Sequence, residues 1–501
     1  MQRRHFLRLA AGSGVLTALG DLALLRALPP VSAGEARVDA RRVRFAAGIE
    51  PLVRLLEDTP RERVLEEVAS RIQRGLAYAD VLAALLLAGV RNVQPRPVGF
   101  KFHAVLVVNS AHLAALASPE TDRWLPIFWA IDRFKDAQAA DAREGDWTLG
   151  PVDETAVPPS HRARAAFIAA MDGWDEAAAD AAIVGLVRSA GAHEVFEVLC
   201  RYGVRDFRDI GHKQIYLANS FRTLEAIGWH HAEAVLRSLT YALLDRSGAQ
   251  VNPAKADLPA DRPFRQSLGL VKSIGPGWLA GKPNPSATLE MLEAARAGSP
   301  EDAAARAVEL LNRGVAPHSI LDACRVCSGE LLMRRPGILS LHATTFANAL
   351  DHAWQRCAHE ETRKIQLLQA VAFLPLYRGD LNGGAKLDQL EPAALEATGT
   401  EALAEIFAAI GHDRQTAARK LLAYLQQSQD PRPFADAARR LVFLKGRDSH
   451  DYKFSSAVFE DYQAMAPPWR DRFLAASVFH LKGSGEADNE LVNRTRAAFK
   501  G

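Results

Sequence analysis

Residues 211–220 read Gly-His-Lys-Gln-Ile-Tyr-Leu-Ala-Asn-Ser, with His212 at the head of a mainly apolar segment and Asn219 near its end. Three further stretches share this pattern and are headed by His103, His342 and His450. One copy falls in each quarter of the chain that follows the N-terminal segment. A hydrophobic core requires repeated apolar residues, but it does not require a histidine before each set. The recurrence therefore predicts that the four rings act together.

The repeat extends to both sides of each histidine. Two amphipathic segments precede it, with apolar residues at i, i+3 or i+4 and i+7, and a glycine ends the first segment in three of the four copies. This spacing predicts helices. A third helix carries the histidine and a fourth apolar segment closes the unit. We therefore predict an all-α fold of four pseudo-repeated helical units that form an α/α toroid or superhelix, with units at about 60–160, 165–285, 290–395 and 400–501.

The N-terminus resembles an export signal. Arg3 and Arg4 begin a twin-arginine motif, an apolar stretch follows over residues 9–20, and Val31-Ser32-Ala33 forms a small-residue cleavage site. Asp21 and Arg26 shorten the apolar run, which disfavours an uncleaved membrane anchor. We predict a twin-arginine signal peptide at residues 1–33 and a single repeat domain at residues 34–501. The twin-arginine translocase is then an export partner, and the folded protein becomes periplasmic or extracellular, with no membrane segment in its mature form.

Composition excludes several other classes. The 501 residues are 48% hydrophobic and 24% charged, with a net charge of +2, so nucleic acid is not expected as a partner. The four cysteines show no disulfide framework. Cys324 and Cys327 occupy core-facing positions of the repeat, which favours packing over a zinc set completed by Cys357 and His359. We find no phosphate-binding glycine loop and no dinucleotide fingerprint in the sequence.

The repeated polar residues are the best site candidates. Four imidazoles at equivalent positions meet if the units close around an axis, where they bind a metal, hold an organic substrate or relay protons. The alternative is that each ring satisfies backbone groups at a helix start. Equivalent amides, with a serine in the fourth unit, either clamp neighbouring helices or face a polar cavity. These amides are Asn109, Asn219 and Asn348, and His230 and His231 add polar groups to the second unit.

Three of the histidine motifs resemble those of the questin oxidase-like family. The matching segments are His212-Lys-Gln-Ile215, His342-Ala-Thr344-Thr345 and His450-Asp-Tyr-Lys453, and the likeness extends over about residues 70–501. The chain departs from the family at Asn219, where a second histidine is usual, and at Lys213, where a glycine is usual. The resemblance implies oxygen insertion into aromatic polyketides of the Baeyer–Villiger type, with NADPH as the reductant.

Two functions follow from these observations. The first is an exported oxidoreductase of the monooxygenase type that acts on an aromatic or apolar organic substrate in a histidine-lined cavity. Its catalytic residues are His103, His212, His342, His450 and Lys453, the last as a cationic partner, and its substrate-binding residues are Asn109, Asn219, Asn348, His230 and His231. A metal bound by the histidines is left open. The second is a non-catalytic exported helical scaffold or binding protein in which the histidines are structural.

Overall fold

The computed structural model describes residues 40–500, and the predicted signal peptide lies outside this range. The predicted all-α class is confirmed, because the regular elements of the described residues are helices and no strand occurs among them. The nearest approach to a sheet is an isolated bridge between Lys282 and Val315. Within the described range, no helix is both long enough and apolar enough to cross a membrane.

The first two quarters of the chain each place a histidine-headed helix between amphipathic helices. The helices of the first are α1 (Glu50–Asp58), α2 (Arg61–Gln73), α3 (Tyr78–Asn92), α4 (His103–Leu106), α5 (Val108–Leu116) and α6 (Leu125–Glu144). Those of the second are α7 (Ser160–Gly173), α8 (Glu176–Ser189), α9 (Ala192–Gly203), α10 (His212–Ile227) and α11 (Ala232–Leu243), followed by α12 (Arg262–Leu270) in the long connection to the third.

The last two quarters repeat this order of helices. The third contains α13 (Pro285–Ala297), α14 (Pro300–Asn312), α15 (Pro317–Arg334), α16 (Ile338–Arg356) and α17 (Glu360–Arg378). The fourth contains α18 (Gly399–Ile410), α19 (Arg414–Ser428), α20 (Arg432–Lys445), α21 (Ser449–Ala464), α22 (Pro467–Ala476) and the terminal helix α23 (Glu490–Ala498). Each quarter thus has one helix before the four that the sequence predicts.

Local sequence explains where several of these helices begin. At the start of α14, the Ser299 hydroxyl accepts a hydrogen bond from the backbone N–H of Asp302, and the Asp302 carboxylate accepts one from the backbone N–H of Ser299. Both N–H groups have no partner within the helix. Asp448 and Asp451 form the same reciprocal cap at the start of α21. The cap fixes the first turn of α21, and His450 lies in that turn.

The helices that carry the histidines pack on one another in a closed order. α5 contacts α10, α10 contacts α16, α16 contacts α21, and α21 contacts α5. Two large hydrophobic clusters surround them, one built mainly from the first two quarters and the other from the last two. The terminal helix α23 packs against α2 and α6, so the end of the chain contacts its first quarter. The N-terminal ends of the four central helices therefore lie near one another.

The cysteines have the structural role that the repeat predicts. Cys324 and Cys327 are buried on α15, and all four cysteines are free thiols in buried positions. The long connection after α11 is ordered and contains α12, whose Phe264 is buried. Trp278 in the same connection packs edge-on against Trp354 and donates a hydrogen bond to Glu360. This segment covers α17 and does not reach the histidines.

Candidate metal centre

The structure brings His103, His212, His342 and His450 together. The ring centroids of neighbouring pairs are 4.8, 4.2, 5.0 and 4.4 Å apart around the group, and His103 and His342 are 6.2 Å apart across it. One ring nitrogen from each histidine lies within 4.8 Å of the other three. The four rings therefore form the corners of one compact cluster, in the same order as along the chain.

In every ring Nδ1 lies beside an oxygen, and Nε2 of His212 faces Nε2 of both His103 and His342. Three of the oxygens are backbone carbonyls: Nδ1 of His103 lies 2.8 Å from Phe100 O, Nδ1 of His212 lies 2.6 Å from Asp209 O, and Nδ1 of His342 lies 2.7 Å from Ile338 O. The fourth is a carboxylate, because Nδ1 of His450 lies 2.5 Å from Asp448 Oδ1. A carbonyl oxygen only accepts, so Nδ1 is the donor and Nε2 carries the lone pair.

Unusual backbone conformations place two of these carbonyls. Phe100 and Asp209 have φ of 46° and 55°, and Ile210 next to the latter has φ of 46°. Left-handed φ in a branched residue such as Ile210 is rare and costs on the order of 1–3 kcal/mol. Gly99 lies beside the same rings, and a Cβ there would meet Cε1 of His212 at 3.4 Å, an ordinary van der Waals contact. The chain therefore adopts strained backbone where it holds the rings of His103 and His212.

The electrostatic setting favours the neutral form of three of the imidazoles. Burial lowers the pKa of His103, His212 and His342 well below the ordinary value, and positive charge on Lys453 lowers each of them further. Nε2 of His212 nevertheless lies 2.9 Å from Nε2 of His103 and 2.8 Å from Nε2 of His342. A neutral ring that is protonated at Nδ1 has no proton on Nε2, so the facing Nε2 lone pairs repel one another. A cation between them would remove this repulsion, because the lone pairs would act as its ligands.

The cavity next to the cluster is lined by residues of the central helices at nearly equivalent offsets, and none of the four histidines is among its lining residues, so the predicted histidine-lined cavity is corrected to a cavity beside the histidines. The residue three positions after each histidine is Leu106, Ile215, Thr345 or Lys453, and all of these except Leu106 line the cavity. One helical turn further on lie Asn109, Asn219, Asn348 and Ser456. The cavity volume is about 10 Å³, which holds about one water molecule.

Lys453 is the charged side chain nearest to the histidines in this cavity. It is 3% exposed, and its Nζ has no hydrogen-bond partner among the described residues. Burial lowers its pKa to about 7. A buried amine without an acceptor is costly, so its presence indicates a role other than stability.

An ion pair lies at the outer end of the cavity. Arg222 Nη2 donates to Glu460 Oε2 at 2.6 Å, and both residues line the cavity. They stand ten positions after His212 and His450 respectively. The side chain of Glu460 is 46% exposed and that of Arg222 is 11% exposed, so this pair marks the side that faces solvent.

The predicted asparagines serve both suggested purposes. They line the cavity, and two of them also join neighbouring helices. Asn219 Nδ2 donates to Leu106 O at 2.9 Å, and Asn348 Nδ2 donates to Asp461 Oδ1 at 3.0 Å. Asn109 Oδ1 is buried with no partner among the described residues, so it remains free to accept from a molecule in the cavity.

Two of the predicted residues lie elsewhere. His230 is exposed and His231 is half-buried in a short 3₁₀ helix, their ring centroids are 3.9 Å apart, and neither lines the cavity. The reason is geometric, because they precede α11 on the outer side of the central helices. Asp448, Arg222 and Glu460 are missing from the sequence prediction. The fixed offset of ten residues from a histidine and the capping signature at Asp448 are the signals that identify them.

The histidine cluster has the composition of a transition-metal site. Imidazole suits zinc, copper, iron and nickel, and a hydrogen bond from the second ring nitrogen orients each ligand. With metal–nitrogen bonds of roughly 2.0–2.1 Å, neighbouring nitrogens lie roughly 2.9 Å apart in a square and roughly 3.4 Å apart in a tetrahedron. The two Nε2 distances of 2.9 and 2.8 Å, both at His212, are closer to the edge of a square than to that of a tetrahedron, although the ligand atoms of the full set are up to 4.8 Å apart, which exceeds the roughly 4.1 Å diagonal of such a square. A square four-nitrogen set is typical of copper(II) or nickel(II).

Comparisons of the chain with family models, curated proteins and solved structures found no match. The resemblance to the questin oxidase-like family therefore stays a prediction.

Proposed function

We propose that the protein is a metal-dependent oxidoreductase whose metal ion, copper in the first instance, is held by Nε2 of His103, His212, His342 and His450. One observation carries the proposal: Nδ1 of three rings faces a carbonyl, and the Nε2 atoms face one another at 2.8–2.9 Å in a neutral pocket. A cation provides the attraction that this arrangement otherwise lacks. A bound copper ion supplies one-electron transfer.

We infer that the four units are equivalent and close into a ring around this centre. In each quarter, the first helix of the predicted four contacts the last: α2 with α6, α8 with α11, α14 with α17 and α19 with α22. The closed order of contacts among α5, α10, α16 and α21 supports the same arrangement. A ring delivers one ligand from each unit to a single point, which a linear superhelix does not.

The direct test is metal analysis of the protein purified from its native host, followed by reconstitution of the stripped protein. We expect one metal ion per chain. With copper(II), electron paramagnetic resonance should show hyperfine splitting from four nitrogens. A chain that takes up no transition metal in either experiment contradicts the proposal.

A matched pair of variants separates this site from adventitious binding. His342→Ala removes a ligand that is fully buried, whereas His112→Ala removes a partly buried histidine whose Nδ1 lies 3.0 Å from Tyr78 Oη, outside the cluster. We expect the first to lose the four-nitrogen signal and the second to keep it. Equal loss in both variants would point to nonspecific uptake.

The scaffold alternative rests on the bonds that Asn219 and Asn348 make between central helices. If the histidines also serve only to brace the units, replacing all four by glutamine should lower stability and leave metal content unchanged. Thermal unfolding of that variant and of the parent, with and without added metal, decides between the two functions.

The aromatic substrate and NADPH remain predictions from resemblance. The cavity below the histidines holds about one water molecule, so an aromatic ring requires the central helices to separate. Turnover of NADPH with an aromatic ketone tests this reading. Export in the folded state is also part of the proposal, and Arg3→Lys with Arg4→Lys should retain the protein in the cytoplasm if the leader acts as predicted.

A further inference from the structure

In the metal site that we propose, the positive charge of a divalent ion exceeds the negative charge of the surrounding residues. Three of the four ligands are imidazoles whose pKa burial lowers, and Asp448 is the carboxylate hydrogen-bonded to the fourth, His450. The centre also lies at the N-terminal end of α10, which has no side-chain cap and carries partial positive charge. A divalent ion in this setting favours an additional anionic ligand.

The cavity below the histidines has the groups to hold such a ligand. Lys453 stands one helical turn from His450 on the same face of α21, and its Nζ offers three hydrogens with no acceptor among the described residues. Thr345 lines the cavity at the equivalent position of α16. Lys453 and Thr345 lie between the histidines and the layer formed by Asn109, Asn219 and Asn348, which we call the asparagine layer. They therefore face a ligand bound on the cavity side of the cluster.

The dimensions limit the ligand to a very small one. The volume of about 10 Å³ accommodates one or two heavy atoms. Leu113 and Ile215 provide apolar walls, whereas the ion pair of Arg222 and Glu460 stands toward solvent. The ion pair has an exposed carboxylate, so a side-chain rotation of Glu460 widens this end without movement of the helices.

We propose that this cavity is the site of a small inorganic anion of one or two heavy atoms, which binds the metal and accepts a hydrogen bond from Lys453. The inference rests on the metal centre proposed above and specifies its substrate class: a halide-sized or diatomic anion, including reduced forms of dioxygen. Lys453 receives the anion at the inner end, and the ion pair of Arg222 with Glu460 stands at the outer end.

The test uses copper(II)-loaded full-length protein and fluoride as the probe. Fluoride bound to copper adds a fluorine splitting to the paramagnetic resonance spectrum, so binding is read independently of turnover. We expect saturable fluoride binding in the parent and at least tenfold weaker binding in Lys453→Met. Benzoate, which exceeds the cavity, should leave the spectrum unchanged.

Two further variants serve as controls for the fluoride experiment. Lys420→Met removes a lysine that pairs with Glu405 on the outer surface, and it should bind fluoride as the parent does. Lys453→Gln provides a second substitution if the methionine variant does not fold. Copper uptake without fluorine splitting overturns this inference and leaves the metal proposal intact, whereas absence of copper uptake overturns both. Equal fluoride affinity in the parent and in the Lys453 variants also overturns it.

Discussion

Two groups of buried polar side chains lie on the central helices, and they handle charge in opposite ways. Around Arg325, which is 1% exposed, three carboxylates neutralise the guanidinium: Asp351 at 2.8 Å, Asp322 at 3.4 Å and Asp461 at 3.5 Å. In the histidine cluster, four imidazoles face one another and Lys453 has no acceptor among the described residues. Charge is balanced within the first group, although Nε and Nη2 of Arg325 have no hydrogen-bond partner among the described residues, whereas the second group is the site at which we propose a metal ion and an anion.

This contrast distinguishes a structural cluster from a binding site. Burial raises the pKa of Asp461 to about 7, so a proton helps to balance the excess of carboxylates around Arg325. In the histidine cluster, burial instead lowers the pKa of His103, His212 and His342 and removes the protons that would link these three rings. Asn348 connects the two groups, since it lines the cavity and donates to Asp461.

The largest expected effect is the loss of metal affinity in His212→Ala. If a metal-binding free energy on the order of 10–16 kcal/mol is shared among four ligands, each contributes roughly 3 kcal/mol. Removal of one ligand then weakens metal binding by about 10²–10³-fold. Isothermal titration of the stripped protein with copper(II) measures this change. His112→Ala is the matched control and should retain the parent affinity, because its ring lies beside Tyr78. Similar affinities in parent and His212→Ala would contradict the assignment of the ligand.

Arg325→Met should have the largest effect on stability and none on the metal. It leaves three carboxylates buried without their counter-charge, which costs about 3–5 kcal/mol. Denaturant unfolding measures the loss. The double variant Arg325→Met with Asp461→Asn removes one of the stranded carboxylates and should recover part of the stability. A single variant as stable as the parent would show that this cluster does not brace the fold.

Lys453→Met should stabilise the metal-free protein. The pKa of Lys453 is about 7 when folded, compared with 10.5 for the free side chain, because burial disfavours the charged form. The unfolded chain therefore binds more protons than the folded chain between pH 7 and 10.5, and the stability of the parent rises with pH across that window. The variant should gain roughly 3 kcal/mol or more below pH 7, and the gain should shrink as the pH approaches 10.5.

Unfolding curves of parent and variant at pH 6.5 and pH 10 test this sign. A gain that is independent of pH would mean that improved apolar packing, and not the removed charge, is the cause. Lys420→Met serves again as the control, because the hydrogen bond to Glu405 raises the pKa of this half-buried lysine, so its removal should give no such gain.

The sequence predicts the helices and the convergence of the histidines because both follow from periodicity. An apolar period of about 3.6 residues identifies a helix, and a polar residue at the same offset in four repeats marks the same position in space. The repeat also identifies the asparagine layer, whereas Lys453 is identified only by the resemblance of the motif His450-Asp-Tyr-Lys453 to the family pattern. His230 and His231 follow no such offset, and the structure places them outside the cavity.

Other parts of the site depend on contacts that periodicity does not describe. The carbonyls of Phe100 and Asp209 reach the histidines through left-handed residues, and nothing in the composition of these segments signals that conformation. The ion pair of Arg222 with Glu460 joins helices from different quarters, so it appears only when those helices are packed together. The volume of the cavity likewise depends on the distances between helices, which the repeat pattern leaves open.

The smallest effect on metal affinity should come from Asp448→Asn. This variant removes the negative charge beside His450 but keeps a side chain of nearly the same shape. Asparagine caps a helix as well as aspartate does, so the first turn of α21 should persist, and its amide oxygen can still accept from His450 Nδ1. The hydrogen bond to His450 holds the pKa of the Asp448 carboxyl well below its usual range, so the parent carries a negative charge there at neutral pH. Loss of that charge makes the imidazole a weaker donor to a cation, and we expect metal affinity to fall by about 10–100-fold.

Asp413→Asn makes the same change at the cap of α19, where Thr416 is the partner, and it should leave affinity unchanged. If both variants bind copper as the parent does, the carboxylate does no more for His450 than a carbonyl does for the other three rings.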